Sequence, residues 1–89
     1  MSDDPRLRFS CVTRNKGRST ESLEFRIQRQ RKDKGADHVA YLGRIRRSHL
    51  SDKSRLEILR LEVMRRSVSA GFDGDRWLEE VWAAIEDKS

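Results

Sequence analysis

One cysteine, one proline and two histidines occur among 89 residues, and each scarcity closes off a class of chemistry. The lone Cys11 has no partner for an intrachain disulfide, and within a strand pattern it reads as a small buried apolar side chain rather than a reactive thiol. Cys11, His38 and His49 have no neighbour of their own kind at zinc spacing, so no metal site and no cofactor is expected. Nothing local activates a nucleophile, and no catalytic residue is assigned. The glycines are isolated rather than gathered into a phosphate loop. Asp73 and Asp75 around Gly74 bring too few oxygens for a calcium loop and read as helix caps. No apolar run approaches the ~20 residues of a membrane helix, and MSDDPRLR lacks the apolar centre of a signal peptide. The expectation is a soluble intracellular protein, cytoplasmic or nucleoid-associated, or nuclear in a eukaryotic setting, with no membrane contact.

What the chain does have is charge. Charged residues make up 39% of it and hydrophobic ones 35%, with a net charge of +5. The positive charge is unevenly placed: residues 1–50 carry 13 Lys/Arg against 6 Asp/Glu, whereas residues 51–89 carry 7 against 9. A field concentrated in one half attracts polyanions and is weakened by salt. This length suits one small domain with a thin core, so oligomerisation is a live expectation.

Three stretches alternate with period two, the mark of half-buried strands. Arg6 to Thr13 puts Leu7, Phe9 and Cys11 on one side; Ser22 to Gln30 puts Leu23, Phe25 and Ile27 there; His38 to Arg46 adds Val39, Tyr41 and Ile45. The opposite side carries Arg6, Arg8, Ser10, Arg26, Gln28, Gln30, Arg44 and Arg46. Ala40 and Leu42 fall on that polar side against the pattern, which leaves room for a one-residue bulge or a register error in the third strand. RNKGRSTE, Arg14 to Glu21, is expected to be a flexible basic loop, and KDKGAD, Lys32 to Asp37, a hairpin turn. Short connections favour an antiparallel meander.

Two helices come next. The first, capped by Ser51 or Ser54 and running to Ser69, gathers Leu56, Leu59, Leu61, Val63, Met64 and Val68 in one broad arc with Ile58 at its margin. Gly71 suits the left-handed residue that ends it. Asp73 caps the second, with Phe72 and Trp77 at staple spacing, and Trp77, Leu78, Val81, Trp82 and Ile85 form its apolar stripe. The predicted fold is one α+β domain over 1–89: a mobile tail at 1–5, a basic three-stranded antiparallel sheet at 6–47, and two C-terminal helices at 51–87 packed on one sheet face.

The uncovered face suggests a nucleic-acid-binding module without enzymatic activity, with duplex DNA as the leading ligand ahead of RNA; the lack of exposed aromatics favours a duplex over a single strand and leaves structured RNA open. Arg26, Gln28, Gln30 and Arg44 are candidates for base-edge contacts. Arg8 and Arg46 stand beside them, and Arg14, Lys16, Arg18, Arg31, Lys32, Lys34 and Arg47 are expected to hold the backbone. The order of three strands and a helix over Arg6 to Ser69 resembles the sheet-reading DNA-binding domains of plant ethylene-response factors and the arm-binding domains of tyrosine integrases. AYLGRI at Ala40 to Ile45 is the nearest sequence echo; the resemblance is architectural, identifies no family and transfers no residue role. One alternative is a protein-interaction or inhibitor protein, such as a viral or mobile-element accessory factor, with Trp77 and Trp82 at its interface or in a homodimer through the second helix. A lesser one is RNA binding or a small ribonuclease using Arg26, Arg44, His38 and Tyr41, against which stands the placing of Tyr41 with the core.

Overall fold

The computed structural model describes residues 6–33 and 35–88. The tail expected over Met1–Pro5 lies outside those residues, as does Lys34. Strands β1 (Leu7–Arg14), β2 (Ser22–Gln30) and β3 (Ala36–Arg46) are followed by a 3-10 turn at Arg47–His49 and helices α1 (Lys53–Ser69) and α2 (Gly74–Lys88). The strands form one antiparallel sheet in the order β1-β2-β3. This is the α+β meander-then-helices arrangement that the alternation and spacing predict.

The central strand obeys its pattern. Leu23, Phe25 and Ile27 are each 2% exposed or less, and burial of such side chains stabilises by about 1.5–3 kcal/mol apiece. Leu7 and Ile45 join them from the outer strands, and Phe9, Cys11 and Val39 pack against this core while partly exposed. Both helices lie on this side: α1 packs on β3 and on α2, and α2 reaches β1.

The third strand departs from simple alternation. Its register against β2 slips twice, between Phe25 and Arg26 and again between Ile27 and Gln28, so Leu42 and Val39 are extra residues without a partner. Each bulge reverses the parity of the residues beyond it. Ala40 and Leu42, placed by alternation on the polar side, are therefore buried core. Tyr41, assigned to the core, is instead paired with Arg26 and stands on the polar face. Gly43 sits beside the first bulge with φ 147°, and a Cβ there would meet Leu59 Cδ1 at 3.2 Å, so only glycine fits this turn of the strand under α1.

In α1 the buried stripe is Leu59, Val63 and Ser67, with Leu56 partly buried. Leu61 and Val68, expected in the core arc, are 55% and 64% exposed, and Ile58 is 57% exposed. The helix is wedged between an edge strand and α2, and that crevice accepts a stripe narrower than its apolar arc. The N-cap is Asp52, whose carboxylate accepts from the Ser54 and Arg55 amides, rather than Ser51 or Ser54. The helix ends as predicted: Gly71 has φ 84°, and the Phe72 and Gly71 amides donate to the Ser67 and Val68 carbonyls. The Asp73 carboxylate then accepts from the Asp75 amide, and the Phe72 and Trp77 rings meet edge to face at 6.4 Å. Trp77 is only 1% exposed and belongs to the core, which removes it as a surface anchor; Trp82 is half-buried against the same core. No described helix is long and apolar enough to cross a membrane.

Candidate nucleic-acid interface

The polar face of the sheet is a lattice set by strand register, and its β3 edge comes within reach of α1. Across the three strands its rows read Arg8, Gln28, His38; then Ser10, Arg26, Tyr41; then Val12, Glu24, Arg44; then Arg14, Ser22, Arg46. Five guanidinium groups thus share a surface with one carboxylate. The strands hold them there because β2 buries every second residue beneath the helices and leaves the intervening ones outward.

Glu24 organises the middle of this lattice. It accepts from Arg26 Nη2 at 2.6 Å and from Arg14 Nε at 3.1 Å, with its side chain 14% exposed. The Arg26 hydrogen bond is the main cause of a carboxyl held below the usual glutamate range, with Arg14 adding to it. Two predicted contact residues are therefore already engaged inside the protein. Arg44 and Arg46 have no carboxylate partner among the described residues and are exposed. Tyr41, which parity placed elsewhere, completes the row of Arg26. Arg66 of α1 lies over its ring at 5.0 Å, and burial pushes its phenol upward.

The remaining predicted residues separate into two ends. Lys16 and Arg18 are exposed in the β1–β2 loop. That loop is ordered by hydrogen bonds rather than apolar contacts: the Arg18 amide donates to the Asn15 carbonyl, the Glu21 amide to the Arg18 carbonyl, and the Gly17 amide to the Glu21 carboxylate at 2.8 Å. Arg47 is tied to it through an ion pair with Glu21 at 2.9 Å. At the other end, Lys32 is exposed in the β2–β3 turn, Gln30 is exposed where β2 stops, and Arg31 is paired with Asp33 and Asp37. β2 has nine residues, so these two basic ends are about 30 Å apart.

Where the first end meets α1 there is a cleft of about 520 Å³. Arg44 and Arg46 line it from β3, His49 from the 3-10 turn, Arg55, Ile58 and Glu62 from α1, and Asn15 and Thr20 from the loop. His49 and Arg55 carry no sequence signal for a site, because the cleft exists only where three separate segments converge. Comparison with family models, curated proteins and solved structures found no match.

Proposed function

We propose that the chain is a nucleic-acid-binding module that binds without catalysis, with duplex DNA as its partner and the uncovered sheet face as its reading surface. The observation that carries this reading is the register-locked lattice of Arg8, Arg14, Arg26, Arg44 and Arg46 around a single neutralised carboxylate. Its outer strand axes lie roughly 10 Å apart, comparable with the ~12 Å width of the major groove. Arginine offers paired donors to guanine and Gln28 the amide that matches adenine. Basic loops at both ends, about 30 Å apart, suit an extended polyanion running along the strands better than a compact one.

Binding of labelled duplex DNA, duplex RNA and single strands across a salt series tests this directly. Each phosphate contact should add about 0.9 to the slope for duplex DNA. Arg44→Ala is expected to relax sequence discrimination and cost about 1–3 kcal/mol, and Arg26→Ala to cost less, since Arg26 is already held by Glu24. Absence of binding to every polymer at low salt overturns the proposal.

The position of Tyr41 favours RNA as a second reading. His38, Arg26, Tyr41 and Arg44 occupy neighbouring rows of one face, which removes the objection to a ribonuclease-like grouping. Arg66 covers one side of the Tyr41 ring, leaving it poorly placed for base stacking, so duplex DNA is preferred. Cleavage of single-stranded RNA that disappears in His38→Ala would reverse that preference.

A further inference from the structure

We propose that the cleft between β3 and α1 is a distinct site for a nucleotide carrying a terminal phosphomonoester. The inference deepens the nucleic-acid reading and rests on it.

Six arginines of this protein are held by carboxylates of their own chain. Arg14 and Arg26 share Glu24, Arg31 is paired with Asp33 and Asp37, Arg47 with Glu21, Arg60 with Glu57 and Arg66 with Glu62. Arg18, Arg44, Arg46, Arg55 and Arg65 have no carboxylate partner among the described residues; Arg18 and Arg65 lie apart, whereas Arg44, Arg46 and Arg55 converge on this cleft, together with His49. The carboxylate on its wall, Glu62, is held by Arg66 at 2.9 Å. The helix amides nearby do not supply the positive charge, because Asp52 already accepts from those of Ser54 and Arg55. The uncompensated charge therefore belongs to side chains, which take an anion by forked hydrogen bonds.

Three guanidinium groups without a carboxylate exceed what a backbone phosphodiester with its single charge requires. A terminal phosphate carries about −1.5 to −2 at neutral pH and offers three strong acceptor oxygens. The volume of about 520 Å³ is in the ~300–1,000 Å³ range of small-molecule sites, larger than a bare phosphate needs. Ile58, 57% exposed on the cleft wall, offers apolar surface to a base or sugar. Arg44 and Arg46 belong both to the sheet lattice and to the cleft, so a strand lying along the face delivers its end here.

The test is calorimetric titration with a thymidine dinucleotide bearing a 5′-phosphate, the same dinucleotide with a 5′-hydroxyl, thymidine 5′-monophosphate and inorganic phosphate. The phosphorylated dinucleotide is expected to bind about tenfold tighter than its hydroxyl counterpart. Arg55→Gln and Arg46→Gln should each abolish that preference, and Arg65→Gln on the exposed side of α1 should leave it intact. Thermal melts confirm that these surface variants fold. Equal affinity for the two dinucleotides overturns the site, and so does inorganic phosphate binding as tightly as the phosphorylated dinucleotide. A monophosphate that matches the phosphorylated dinucleotide supports the site with free nucleotide as its source; a weaker one supports a strand end. Arg55 is off the sheet lattice, which separates the two proposals. Loss of end preference in the native chain with duplex DNA still bound removes the cleft alone, whereas end preference without duplex binding removes the sheet-face reading alone.

Discussion

Glu24 is the residue on which stability and binding meet. Its carboxyl is lowered by the Arg26 hydrogen bond and by Arg14, so its share of folding stability is complete above the ordinary glutamate range and is lost as pH falls through the lowered value. Glu21 and Glu57 are lowered in the same direction, chiefly by the Gly17 amide and by Arg60. Glu24→Gln should therefore flatten part of the acid limb of a stability–pH profile. The same variant releases two guanidinium groups on the face, and duplex affinity should rise several-fold with a salt slope steeper by about 1; unchanged binding would show that the centre of the lattice is not contacted. Ser67 presents a different balance. Its hydroxyl is fully buried without a hydrogen-bond partner among the described residues, so Ser67→Ala removes a desolvated polar group and improves helix propensity. A gain of about 1 kcal/mol in chemical denaturation is expected. Neither residue is conspicuous in sequence: Glu24 reads as an ordinary outward strand residue, and Ser67 has no apolar character to mark it as core.

At the scale of elements, patterns that depend on near neighbours were legible and those that depend on distant ones were not. β1, β2, the Gly71 helix end and the Phe72–Trp77 staple come from spacing alone, because each is satisfied within a few residues. The first cap was less legible, since Ser51, Asp52 and Ser54 all have capping chemistry and only the backbone path selects one. Asp52→Ala should cost about 1 kcal/mol in thermal or denaturant unfolding, with Ser51→Ala and Ser54→Ala near neutral. A larger loss at Ser54 would contradict the Asp52 cap. β3 was legible as a strand but not in its facing. The first of its two bulges lies beside Gly43, where Leu59 and Glu62 of α1 approach the strand, a contact between residues far apart in the chain. Alternation carries no signal for such a slip beyond the misplaced Ala40 and Leu42.

For the whole molecule, the decisive property is that both helices cover the same side of the sheet, which separates a basic face from a helical side of mixed charge. Charge removal should then act by location rather than by number. Replacing Arg46 with glutamine should weaken duplex binding and lower the salt slope by about 1, whereas Arg65→Gln, which removes the same charge, should change either only slightly, in titrations at matched ionic strength. Equal effects from the two sides would mean that net charge alone attracts the polymer. By itself, the sequence determined the α+β class, the order of elements and the concentration of positive charge in the first half, because hydrophobic periodicity and composition are local properties of the chain. Tertiary structure decided which arginines are paired with carboxylates of the same chain, that Tyr41 joins the polar face, that Trp77 is core, and that Arg44, Arg46, His49 and Arg55 meet in one cleft. Each depends on a register shift or on the approach of distant segments, and the free energy of such contacts is set in space, where spacing along the chain has no hold on it.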